Sequence, residues 1–77
     1  MSAADKEAAK AAIVDYVEVY GPDVSMVDLR GFVRHETGID FGGPTLAAFL
    51  KPLGYRRDTY RRIDTCPGKS LFYVRAD

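Results

Sequence analysis

The sequence predicts a single α+β domain in which three helices are followed by a two-stranded β-hairpin. Three observations carry that prediction. Apolar residues recur at helical spacing in three successive segments up to Leu53, β-branched and aromatic residues dominate 55–63 and 70–75, and each segment ends in glycine, proline or a turn-forming cluster. The length agrees, because 77 residues hold one hydrophobic core and a chain this short buries only about 60% of its unfolded surface. With 47% hydrophobic residues, nearly every large apolar side chain is needed for that core, and few remain to line a deep pocket. The single domain is expected to span 1–77, divided into an N-terminal helix at 1–21, two short helices within 24–54 and a hairpin at 55–76.

The first helix is expected over Ala3–Tyr20, where Ala9, Ile13, Tyr16, Val17 and Tyr20 share one face and Lys6, Lys10, Asp15 and Glu18 fall elsewhere. Ser2 with Asp5 three residues on forms a capping pair, and Gly21-Pro22 supplies the stop. Ser25 with Asp28 repeats that opening for a second helix, which turns Met26, Leu29, Phe32 and Val33 to one side and ends at Gly38. Arg30, Arg34 and Glu36 lie on its outer face, and Gly31 inside it costs about 1 kcal/mol unless close packing compensates. After the turn Ile39-Asp40-Phe41-Gly42-Gly43, Pro44 suits a first helical position, and Leu46, Phe49, Leu50 and Leu53 follow at i, i+3, i+4 and i+7. Pro52 loosens the last turn before Gly54. The strands then flank Asp64-Thr65-Cys66-Pro67-Gly68-Lys69, a cluster long enough for a hairpin tip.

Charge is balanced in total and uneven in distribution. Eleven basic and eleven acidic residues cancel, but residues 1–29 carry six carboxylates against two lysines, so an equal and opposite excess lies beyond Leu29. A single cysteine, Cys66, closes no intramolecular disulfide, which points to a reducing, cytoplasmic setting, and Cys66 is expected to be a surface thiol. The longest uncharged apolar stretch, 46–50, is far too short for a membrane span. Catalysis is not expected: His35 is the sole histidine, a Cys66–His35 pair has no third orienting group, and His35 reads as a half-buried residue near a helix end. Zinc would need more soft ligands than the chain owns, and Gly42-Gly43-Pro44-Thr45 lacks the lysine of a phosphate-binding loop, so no metal or other cofactor is expected.

The segment from Val24 to Arg75 resembles the winged helix-turn-helix superfamily. Val24-Ser25-Met26-Val27-Asp28-Leu29 is similar to the entry of that motif's first helix, Glu36-Thr37-Gly38-Ile39 to its turn, and 46–50 with Leu53-Gly54-Tyr55 to a recognition helix running into the first wing strand. Arg56, Arg57, Arg61 and Arg62 before Pro67-Gly68-Lys69, then Phe72-Tyr73-Val74-Arg75, resemble wings of small phage and mobile-element regulatory and replication proteins. The resemblance implies a domain that binds duplex DNA through its third helix and wing. Two departures stand out: Phe41-Gly42-Gly43-Pro44 lengthens the turn, with Ala47 and Ala48 at positions where base-reading side chains often stand, and Pro52 shortens the regular part of the helix that would enter the major groove.

The residues themselves point the same way. Lys51, Arg56, Arg57, Arg61, Arg62, Lys69 and Arg75 are opposed only by Asp58 and Asp64 within 51–75, and arginine forks on a hairpin suit phosphate oxygens. The same charges also suit a solvated hairpin face on which Asp58 and Asp64 pair locally. Thr45, near the start of the third helix, is either a phosphate contact or a cap. Strand alternation points Arg57 and Arg61 one way, and a bulge decides whether Arg56 and Arg62 share the other. Tyr55, Phe72 and Val74 are expected in the core, with Tyr60 and Tyr73 open to contact roles. Two further partner classes are open: a protein docked on the acidic first helix, the winged helix then serving as adaptor or inhibitor, and a second copy of this chain paired through the Ala, Val and Tyr that the first helix exposes.

Overall fold

A computed structural model describes residues 2–64 and 67–75. Its first helix, α1 (Ala3–Tyr20), opens as the capping pair requires: the Asp5 amide donates to Ser2 Oγ at 3.1 Å, and Gly21 closes the helix through Val17 O. After the cis Gly21–Pro22 peptide a short strand, β1 (Asp23–Ser25), leads straight into α2 (Met26–Thr37). Next come α3 (Gly43–Leu50), a single 3-10 turn over Lys51–Leu53, β2 (Tyr55–Arg62) and β3 (Lys69–Arg75). The loosened end expected at Pro52 is that 3-10 turn. Gly38 and Gly54 end their helical segments at φ 75° and 88°, a left-handed geometry that glycine adopts without a Cβ clash.

The chain is α+β, with three α-helices and a three-stranded antiparallel sheet of order β1-β3-β2. The expected hairpin of two strands therefore gains a third, which pairs Asp23 with Val74, Val24 with Tyr73 and Ser25 with Phe72. Three residues are too few to show a strand alternation in sequence. Their pairing fastens the hairpin to the helical layer and changes how α2 begins. The Ser25 side chain does not cap its own helix. Its hydroxyl donates instead to Ser70 Oγ on β3 at 2.8 Å, and the Val27 amide in the first turn of α2 donates to the same oxygen at 3.2 Å. Ser70 in turn donates to Leu71 O at 3.4 Å.

The core is a layer between α1, α2, α3 and one face of the sheet, built around the fully buried Ile13, Val24, Leu29, Val33, Leu46 and Leu50. Tyr16 and Tyr55 close its edges, each 6% exposed. Burial of this apolar area is the main favourable contribution to folding. Several expectations change here. Phe72 and Val74 are not core residues: the register with Val24 turns Tyr73 inward, so its neighbours on β3 face the other side of the sheet. Tyr20 packs on Tyr16 at 4.8 Å between ring centroids yet is 59% exposed, at the edge of an open groove that it lines with Asp28 and Phe32 of α2. Leu53 sits on the 3-10 turn, off the α3 repeat, and is 38% exposed. His35 lies on the solvent side of α2 and is exposed rather than half-buried. Cys66 falls outside the described residues. No helix among the described residues is long and apolar enough to cross a membrane.

The turn between α2 and α3 is closed by side chains on both sides. The Thr37 hydroxyl donates to Val33 O at 2.7 Å and accepts from the Ile39 amide at 3.1 Å. Arg30 forms a two-pronged pair with Asp40 at 2.7 and 2.9 Å, which holds the Asp40 carboxyl below its ordinary range. Gly31 next to Arg30 is exposed, and a Cβ built there meets nothing within 4 Å. No close packing compensates for its cost, so Gly31→Ala is expected to stabilise the fold by about 0.5–1 kcal/mol. A thermal melt checks this, with an expected rise of about 4–8 °C per kcal/mol for a domain of this size.

Candidate nucleic-acid interface

The seven cationic side chains of the 51–75 run do not share one surface. The β2–β3 register pairs Tyr55 with Arg75, Arg56 with Val74 and Arg57 with Tyr73, then shifts, resuming with Tyr60 opposite Leu71, Arg61 opposite Ser70 and Arg62 opposite Lys69. The irregularity between Arg57 and Tyr60 adds a residue to β2 and reverses the alternation beyond it. Arg57 and Arg62 consequently fall on the helix-facing side of the sheet, while Arg56 and Arg61 fall on the other. The expected grouping of Arg57 with Arg61 is corrected by that extra residue.

On the outer side Arg61 is already committed. Its guanidinium donates to Asp58 and, at 3.2 Å, to Asp23 Oδ2 on β1, and it lies 4.7 Å from the centre of the Phe72 ring. Hydrogen bonding to Asp58, then to Asp23, raises its pKa above the ordinary arginine value. Two carboxylates against one cation leave no net positive charge to offer a phosphate. Asp58 thus pairs locally, as the solvated-face reading of the hairpin anticipates, and among the described residues it pairs with Arg61 alone.

On the inner side the arrangement is different. A cleft of about 490 Å³ opens between the start of α2 (Met26, Val27), the start of α3 (Gly43, Pro44, Ala47) and the hairpin (Arg57, Tyr60, Lys69, Ser70, Leu71, Tyr73). Arg57 and Lys69 form its walls, and Arg62 stands across the strand pair from Lys69. Among the described residues none of Arg57, Arg62 and Lys69 makes an ion pair. Tyr60 is 54% exposed beside them, an aromatic face next to three cations.

The other expected contact residues lie apart from this cleft or at its margin. Thr45 is half-buried in the first turn of α3, one residue beyond the Gly43-Pro44 lining. Lys51 is exposed at the opposite end of α3. Arg56 is exposed on the outer side of the sheet, and Arg75 borders a separate groove with Val17, Glu18 and Tyr55. Met26, Val27 and Ser70 line the cleft without any sign of it in the sequence. Only the pairing of β1 with β3 brings the start of α2 against the hairpin, and a three-residue strand leaves no periodic signal.

No protein-family model, no curated protein and no solved structure matches this chain.

Proposed function

We propose that this chain is a winged helix-turn-helix domain that binds duplex DNA, as a small regulator or replication accessory of a phage or mobile element. The observation that carries the reading is the cluster of Arg57, Arg62 and Lys69, three cations that make no ion pair among the described residues, around a cleft bordered by α3. In this reading α3 lies along the major groove while the hairpin follows the adjacent backbone. The three cations then meet phosphates, Thr45 adds a hydroxyl at the helix start, and Lys51, Arg56 and Arg75 serve only longer-range attraction. Arg61 is a structural tie in this scheme. With Ala47 and Ala48 on α3 offering no donor or acceptor, affinity comes chiefly from the backbone, with counterion release as its source.

The test is fluorescence anisotropy of a labelled random duplex across a salt series. Neutralising three phosphates gives an expected slope of about −3 in log K against log salt, and Arg57→Glu with Arg62→Glu should flatten it by about 2 units and cost at least tenfold in affinity. A folded wild-type chain that leaves the anisotropy unchanged at low salt would refute the proposal.

A second reading has one observation in its favour. The exposed side of α1 presents Asp15, Glu18 and a 72% exposed Val19, a mixture of acid and apolar surface that suits a basic protein partner better than DNA.

A further inference from the structure

Asp15, Glu18 and Val19, with Ala11, recur at i, i+4, i+7 and i+8 along α1, and all four are exposed. They form a continuous outward ridge. Neither Asp15 nor Glu18 makes an ion pair among the described residues. The hairpin cleft has the opposite character. Its floor is apolar, with Pro44, Ala47 and Leu71, and its charges, Arg57, Lys69 and the neighbouring Arg62, are all positive. Each surface carries the charge that the other lacks, and each joins that charge to exposed apolar groups.

A single copy does not bring the two together, because no residue of α1 lines the cleft. We propose that the α1 ridge of one copy docks in the hairpin cleft of a second copy, head to tail. Asp15 and Glu18 then face Arg57, Arg62 and Lys69, while Val19 covers Leu71 and Tyr60. The contact is heterologous, so it leaves a ridge free on one copy and a cleft free on the other, and association continues beyond the dimer unless a ring closes. Docking of a second copy needs no DNA, but it fills the cleft proposed above to meet phosphates, so the two ligands exclude each other there.

Sedimentation equilibrium of the full chain over a wide concentration range tests this. The weight-average mass should rise with concentration at about 20 mM salt and fall back towards the monomer at about 300 mM, where charges are screened over a much shorter range. Two variants identify the contact. Asp15→Lys with Glu18→Lys, and Arg57→Glu with Arg62→Glu, should each be folded and monomeric, whereas an equimolar mixture of the two should associate again, since each restores the complement of the other. The α1 variant should also keep its duplex affinity, which separates this contact from DNA binding. A wild-type chain that stays monomeric at low salt, a variant that still associates alone, or a mixture that stays monomeric would overturn the proposal.

Discussion

Replacing Ser70 with alanine is expected to lower the unfolding free energy by about 2–6 kcal/mol, from two groups left without a partner at roughly 1–3 kcal/mol each. The Ser70 hydroxyl accepts from Ser25 and from the Val27 amide, and both Ser25 and Ser70 are buried. Alanine removes the acceptor but leaves both donors in place. For a domain whose whole stability is on the order of 4–11 kcal/mol, that is a large fraction. Ser25→Ala should cost less, because Ser70 keeps Val27 and Leu71 as partners. The double variant should cost less than the sum, since it removes both ends of the serine pair. Urea titrations of the three variants check this ordering, with m-values unchanged. The effect reaches the cleft as well: Ser70 fastens the start of α2 to β3, and Met26, Val27, Lys69 and Leu71 line the two sides of that joint.

Alkaline titration should destabilise the wild-type chain through Tyr16, and Tyr16→Phe should remove this component. The Tyr16 ring packs edge-on against Phe32 at 5.4 Å and beside Tyr20 at 4.8 Å. Burial, with the charges of Asp28 and Tyr20 adding to it, pushes its phenol from 10.0 up to about 12. The folded state holds the proton more tightly than the unfolded state, so the stabilisation is complete below pH 10 and is lost as the pH rises towards 12. At about 1.4 kcal/mol per pH unit, the loss reaches at most about 3 kcal/mol. Other tyrosines and the lysines ionise in the same window, so the quantity to measure is the difference between wild type and Tyr16→Phe in urea midpoints from pH 9 to 12. A constant difference across that range would mean that the Tyr16 hydroxyl is as well solvated in the folded chain as in the unfolded one.

These two residues also mark where sequence and structure part. Tyr16 is legible as a core residue because its neighbours Ala9 and Ile13 recur at helical spacing, and burial follows from which face of α1 they occupy. Ser70 gives no such sign. A serine in a strand of alternating character reads as a solvent-facing position, and its partners Ser25 and Val27 lie far away along the chain. The basic run is legible as charge, yet its division into a committed Arg61 and an Arg57, Arg62 and Lys69 that make no ion pair among the described residues is not.

The sequence by itself determined the three helices, their caps at Ser2 and Gly38, the loosened turn at Pro52, the hairpin and the opposite charge of the two ends. Those features depend on hydrogen bonds and dihedral preferences that act within a few residues. Only the tertiary structure decided the third strand, the capping of α2 by a serine of β3, the inward turn of Tyr73 and the sorting of the arginines. All four depend on strand register, and an added or shifted residue in a strand exchanges its faces, so pairing between distant segments, rather than local preference, sets which charges surround the cleft.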